Sequence, residues 1–125
     1  MILLDTSILI ELFRKKIKSR STYFQLLETY SEFAISTITY FEIGVGSKGS
    51  DMNFWNQFLE NFEIYPFDQK ASVQAIEIFQ YLKVNNRRID FADLQIAATA
   101  ISRNLPLSTL NKKHFEIIPN LEVLP

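Results

Sequence analysis

At 125 residues, 47% of them apolar and 22% charged, the chain is sized for one compact domain with an ordinary core and leaves no room for two. A formal charge of -1 excludes a partner held by bulk charge attraction alone; the absence of cysteine excludes disulfides, thiolate metal sites and thiol nucleophiles; a single histidine, His114, excludes clusters of imidazole ligands. No apolar run approaches the ~20 residues of a bilayer span, and the opening MILLDTSILI lacks the basic start and cleavage site of a signal peptide, so the expected location is cytoplasmic, with no membrane partner.

Met1–Leu4 reads as a short buried strand ending at an acid, Asp5, and Ile8–Phe13 as the helix that follows. The basic run from Arg14 to Lys18 marks the end of that helix. Between Ser21 and Tyr30 the apolar residues Tyr23, Leu26, Tyr30 and Phe24, Leu27 recur at three- and four-residue steps, which predicts an amphipathic helix. Phe33–Ser36 is a second strand. Thr39 and Glu42 have the spacing of a capping box, so a short helix is expected to start there and to end among Gly44, Gly46 and Gly49. Helical spacing resumes from Trp55 to Phe62, and Ile64–Phe67, which carries Pro66, suits a sheet edge. Asp68 opens a helix through Leu82, with Val73, Ile76, Phe79 and Tyr81 or Leu82 expected on its buried side. Asn85–Arg88 is a polar turn. Asp90 then begins the clearest helix, whose alanines permit close packing, and Asn104 closes it. Leu107–Leu110 reads as a strand, His114–Ile117 as a short helical piece and Leu121–Leu124 as a last strand. Strands alternating with helices predict one α/β domain over residues 1–125, a three-layer α/β/α sandwich with a central, mainly parallel sheet.

Sites in open parallel sheets form beyond the carboxyl ends of the strands, which directs attention to the polar residues at those positions. Asp5 follows the first strand, Glu42 is expected in the first turn of the helix after the second, Asp90 and Asp93 start the alanine-rich helix, and Thr109 and Asn111 follow the late strand. Each acid has an ordinary structural use: Asp5 and Asp90 as N-caps, Glu42 and Asp93 as their third-position partners, all four at the positive end of a helix dipole. Together they ask for more. Three carboxylates converging to ~5 Å would repel by roughly 3 kcal/mol per pair at an effective dielectric of ~20. A divalent cation removes that repulsion, hard oxygen ligands suit magnesium or manganese, and such an ion can activate water against a phosphodiester. Other chemistries lack their residues. The glycines do not form a phosphate loop, no Gly-x-Ser-x-Gly elbow occurs, Ser7 has no histidine placed to activate it, and His114 reads as a surface or helix-end residue. The eleven phenylalanines read first as core, with Phe54, Trp55 and Phe58 as an alternative partner surface.

These junctions lie in three segments, LLDTSILIELF, STITYFEIG and IDFADLQIAATAISRNLPLSTLNKKHFEIIPNLEV. In order and over nearly the whole chain they closely resemble PIN-domain proteins of the VapC toxin type; the stretch from about Lys48 to Lys83 shares only the general helix pattern. The resemblance implies a magnesium- or manganese-dependent endoribonuclease, the toxin of a toxin–antitoxin pair, in which Asp5, Glu42 and Asp93 are the catalytic, metal-holding acids. It implies that Thr6 and Thr109 hydrogen-bond the acids or metal-bound water. The fourth acidic position of the family falls near Asn111, an amide here, which weakens a second metal site; Asp90 is the acid nearby, better read as an N-cap. The implied reaction is in-line attack of activated water on an RNA phosphate, leaving a 3′-hydroxyl and a 5′-phosphate. RNA is expected to be guided by local basic residues, with Arg14, Lys15, Lys16, Lys18, Arg87, Arg88, Lys112 and Lys113 as candidates. Two protein partners are implied as well: a second copy in a homodimer, hinted at by the aromatic segments 23–30 and 54–58, and an antitoxin that inserts a basic side chain among the acids.

The principal rival is a catalytically degenerate PIN-like domain that binds RNA or protein; the three acids argue for the enzyme and Asn111 for the rival. A metal-dependent phosphatase or phosphoacceptor domain needs a further acid two residues after the strand-end Asp, or a lysine after the late strand, and the chain has Asp5-Thr6-Ser7 and Asn111 instead. A flap-type nuclease needs a helical arch and more acids than a chain of this length carries.

Overall fold

In chain order the computed structural model, which describes all 125 residues, runs β1 (Ile2–Leu4), α1 (Thr6–Arg14), α2 (Thr22–Leu26), β2 (Phe33–Ser36), α3 (Thr37–Val45), α4 (Asp51–Phe58), β3 (Glu63–Tyr65), α5 (Gln69–Val84), α6 (Phe91–Ser102), β4 (Leu107–Ser108) and α7 (Lys112–Phe115), with 3-10 turns at Lys18–Arg20 and Leu59–Asn61. The four strands make one sheet in the order β3-β2-β1-β4, and every pairing is parallel. β1 is central, with Leu3 paired to Ala34 on one side and to Leu107 on the other.

Alternation of side chains along the inner strands creates the layers. Leu3 and Ala34 point to a core shared with α5, α6 and Phe115, whereas Ile2, Leu4, Phe33 and Ile35 point to a second core with α1, Tyr23, Ile43, Trp55 and Leu59. Inner strands buried on both faces are apolar up to Ser36, the last residue of β2, as a covered parallel sheet requires. No helix is long and apolar enough to cross a membrane.

Helix α5 buries a different stripe from the expected one. Ala71, Ala75, Ile78 and Leu82 face the core, while Val73, Ile76, Phe79 and Tyr81 are exposed. Small residues fit there because α6 brings Ala97, Ala98 and Ala100, all fully buried, into the same core, where close packing leaves little room. Tyr23 and Trp55 follow the first reading of the aromatics, as core. They sit in the second core, where Tyr23 packs against Phe33 and Phe58 and Trp55 stacks on Phe13.

Several boundaries moved. The helix expected from Ser21 to Tyr30 is regular only to Leu26, capped by the Ser21 hydroxyl. Edge strand β3 ends at Tyr65, just before Pro66. The final strand is reduced to one parallel bridge between Val123 and Leu107.

Candidate active site

Parallel pairing of β1 with β4 carries Asp5 and Thr109 out of the sheet side by side: Leu4 is in register with Ser108, and the Asp5 N–H donates to the Ser108 carbonyl at 2.9 Å. Asp5 occupies the N-cap position of α1, yet its side chain caps nothing. Its Oδ2 instead accepts from Ser7 Oγ and from Thr109 Oγ1, both at 2.7 Å. The backbone holds those hydroxyls in turn, with Leu110 N–H donating to Ser7 Oγ and Asn111 N–H to Thr109 Oγ1, each at 3.0 Å. The carboxylate is 3% exposed, fixed through one oxygen, and Oδ1 receives no donor from the chain. Ser7 is the positioning residue that sequence reasoning missed; a hydroxyl two residues after a strand-end acid was the available signal.

Glu42 arrives from the other side of β1. Ser36 ends β2 and caps α3, its Oγ accepting from Thr39 N–H at 3.1 Å. The helix therefore starts before the expected capping box, and Glu42 falls in its second turn, not its first. There Glu42 Oε1 lies 2.7 Å from Thr6 Oγ1, which is also 3.0 Å from the buried Thr39 Oγ1. A hydroxyl has one proton, and the shorter contact to a carboxylate takes it.

Asp90 and Asp93 come from the start of α6. Asp90 stands at the N-cap but makes no capping bond, so the structural use expected of it is not realised. The Asp93 carboxyl is pushed up to about 6, first by burial and next by the charge of Asp5, with Asp90 and Glu42 acting in the same sense and His114 opposing them. His114, 61% exposed on α7, holds Nδ1 at 3.5 Å from Asp93 Oδ2. It is a surface residue, as expected, but one that borders the acids.

The four acids thus share one electrostatic environment at the carboxyl edge of the sheet. They do not close on one point, since no three Asp, Glu or His side chains are near enough to hold a single ion among them. Carboxylates in excess, one raised in pKa by burial and then by its neighbours and another with an oxygen left without a donor, nevertheless fit a hydrated divalent cation, because magnesium is usually held by only one or two carboxylates and keeps several waters.

Cations border the same cleft. Asn86, at φ 54°, turns the chain out of α5 and delivers Arg87 and Arg88, which with Lys113 and His114 line a cavity of about 450 Å³ around Asp90 and Asp93. Lys112 stands beside Lys113 at the start of α7. None of these four Arg and Lys side chains is in an ion pair; the chain's pairs are Arg103 with Asp68 and His114 with Asp93. Arg14 and Lys15 are elsewhere. They close α1, nine residues long, about 14 Å along its axis from the Asp5 end, and are not brought to the acids.

The PIN domain family model matches residues 2–120. A curated relative, ribonuclease VapC1 of Methanocaldococcus jannaschii, is 42% identical over 116 residues, spanning 92% of this chain and 79% of its own. Among solved structures, VapBC2 of Rickettsia felis bound to a promoter DNA fragment superposes with a TM-score of 0.84 at 33% identity, covering 99% of this chain and 98% of that one. DNA-bound VapBC from Salmonella typhimurium gives 0.85 at 26% identity over 99% and 98%. With the strand-end acids, the parallel four-stranded sheet and these matches in agreement, the chain belongs to the PIN-domain family, in its VapC ribonuclease branch.

Proposed function

We propose that the protein is a magnesium- or manganese-dependent endoribonuclease, the toxin partner of a cognate antitoxin, hydrolysing RNA at the cleft around Asp5, Glu42 and Asp93. The observation that carries this reading is the gathering of acids from the starts of α1, α3 and α6 at one edge of the sheet, where burial first and then the charges of Asp5, Asp90 and Glu42 lift the Asp93 carboxyl to about 6. Asp5, Glu42 and Asp93 would hold the cation, directly or through water. When bound, it supplies Lewis-acid activation of water and charge neutralisation at the phosphate. The chain's own residues prepare for this. Ser7 and Thr109 fix the Asp5 carboxylate so that Oδ1 stays available, and Thr6 orients Glu42. Arg87, Arg88 and Lys113 lie where backbone phosphates of a strand entering the cleft would be drawn in. Hydrolysis joins the oxygen of water to phosphorus and releases the 3′ oxygen as a hydroxyl, leaving a 5′-phosphate on the downstream fragment.

The relatives' structures are complexes with antitoxins, and an acidic cleft that attracts a metal attracts a guanidinium for the same reason, which supports an antitoxin that inserts a basic side chain there. A homodimer is supported by the exposed apolar face of α5 and α6, where Ile76, Phe79 and Phe91 border a cavity of about 580 Å³. Ile76→Asp with Phe79→Asp should convert a dimer to a monomer by light scattering while the far-ultraviolet spectrum is unchanged; a wild-type monomer at all concentrations would remove the dimer.

Cleavage of total RNA by the antitoxin-free protein tests the activity. Discrete 5′-phosphorylated fragments should require added magnesium or manganese and fall at least ~100-fold in Asp5→Asn and Asp93→Asn, the scale expected when a transition-state electrostatic group is removed. The second reading, a binding module without catalysis, is favoured by the amide at Asn111 and by the acids not closing on one point. No cleavage from folded, antitoxin-free protein would establish it over the enzyme, whereas metal-independent cleavage would keep the enzyme and remove the metal.

A further inference from the structure

A larger cavity, of about 780 Å³, lies beside the acidic cleft and shares Lys113 and His114 with it. One wall comes from the α2 region, with Thr22, Gln25 and Thr29; the other is the connection from β4 into α7, including Asn111. That second wall is the segment whose backbone positions Asp5 through Ser7 and Thr109, so a molecule in the cavity sits next to the reacting centre. The α2 wall is tied to the body of the protein. Tyr23 anchors α2 in the core, and Glu11 Oε1 accepts from Thr22 N–H at 2.6 Å.

The two walls of the larger cavity differ in chemistry. Lys112 and Lys113 on the α7 side carry charge, as the groups bordering the acidic cleft do, whereas the α2 wall opposite offers hydroxyls and an amide with no charge. The side chains of Thr22, Gln25, Thr29 and Asn111 make no hydrogen bond within the chain, only their backbones being engaged. Charged groups suit phosphates, while uncharged paired donors and acceptors suit the edges of bases. His114 is the one ring on the shared boundary, and RNA readers stack splayed-out bases on such rings. The size is that of a small-ligand pocket.

Resting on the ribonuclease reading, we infer that this cavity takes one unpaired base of the RNA adjoining the cut, with the Gln25 and Asn111 amides reading its hydrogen-bonding edge, and so sets sequence preference.

Titration of the four nucleoside 5′-monophosphates into 15N-labelled protein, with ribose 5-phosphate as the baseless control, tests binding apart from cleavage. Amides of residues 22–29 and 108–114 should shift for the nucleotides and not for the sugar phosphate, with affinities that differ among bases. Gln25→Ala, at an exposed position, should keep the wild-type melting temperature and lose about tenfold in affinity for the preferred base. Equal responses to all five compounds, or shifts confined to residues 87–93, would overturn the inference. Sequencing of cut sites separates the two readings. Wild-type cleavage whose base preference flattens at one position in Gln25→Ala supports the pocket; an unchanged preference refutes it and spares the nuclease. Base-dependent shifts without any cleavage refute the nuclease and retain the base site.

Discussion

Asp93 carries a measurable cost. Its carboxyl titrates at about 6 in the folded protein against an ordinary value of 3.8, through burial and then the neighbouring acids. Between those values the folded chain keeps a proton that the unfolded chain has released, so stability falls as pH rises from about 4 to about 6 and the penalty persists above. Asp93→Asn mimics the protonated acid. It should melt higher than wild type at pH 7.5, with the difference closing towards pH 4, and millimolar magnesium should raise the wild-type midpoint at pH 7.5 more than that of the variant. Parallel melting curves for the two proteins across that range would show that Asp93 does not feel its neighbours. At this scale the acids themselves were legible, because Asp5 follows an apolar run at a strand end and the others lie in the opening turns of helices. Their partners were less so. Ser7 and Thr109 meet only because β1 and β4 pair in register, a contact between residues 102 apart in the chain. The Ser36 cap displaced the Thr39–Glu42 capping box because the strand ends one hydroxyl earlier than the box requires, and that frees Glu42 to face Thr6.

Helices α5 and α6 show how packing overrides amphipathic spacing. Two apolar stripes run along α5, and the larger one, Val73, Ile76, Phe79, is the outer. Hydrophobicity ranks the stripes one way and the room left by the α6 alanines ranks them the other. Space decides, since forcing extra methylenes into a close-packed interface costs ~1–3 kcal/mol. Ala98→Leu should therefore destabilise the fold by ~1–3 kcal/mol in denaturant titration, while Ile76→Gln, on the outer stripe, should stay within ~0.5 kcal/mol when the protein is dilute enough to be monomeric. The reverse ranking would restore the stripe expected from spacing alone. Strand positions and their parallel direction were readable because buried runs such as ILL and FAIS alternate with helices; the order of the strands and the choice of stripe on α5 depend on distant partners and were not.

For the whole molecule the question is how a chain of net charge -1 attracts a polyanion. Charge at long range does not favour the encounter, and the acids at the carboxyl edge oppose it. The balance is local: Arg87, Arg88 and Lys113 border the cleft without acid partners, Lys112 stands beside them on α7, and Arg14 and Lys15 are too far along α1 to contribute. Single-stranded RNA releases ~0.7 counterions per neutralised phosphate, so three or four contacts give a slope of about -2 to -3 in a plot of log affinity against log salt. Measured on the Asp5→Asn protein, which should bind without cutting, Arg87→Gln and Arg88→Gln should each lower affinity and make that slope shallower by ~0.7, whereas Arg14→Gln should change neither. A slope that responds to Arg14 and ignores Arg87 would put the RNA path along α1, away from the cleft, and would separate the bound strand from the carboxylates that are to act on it.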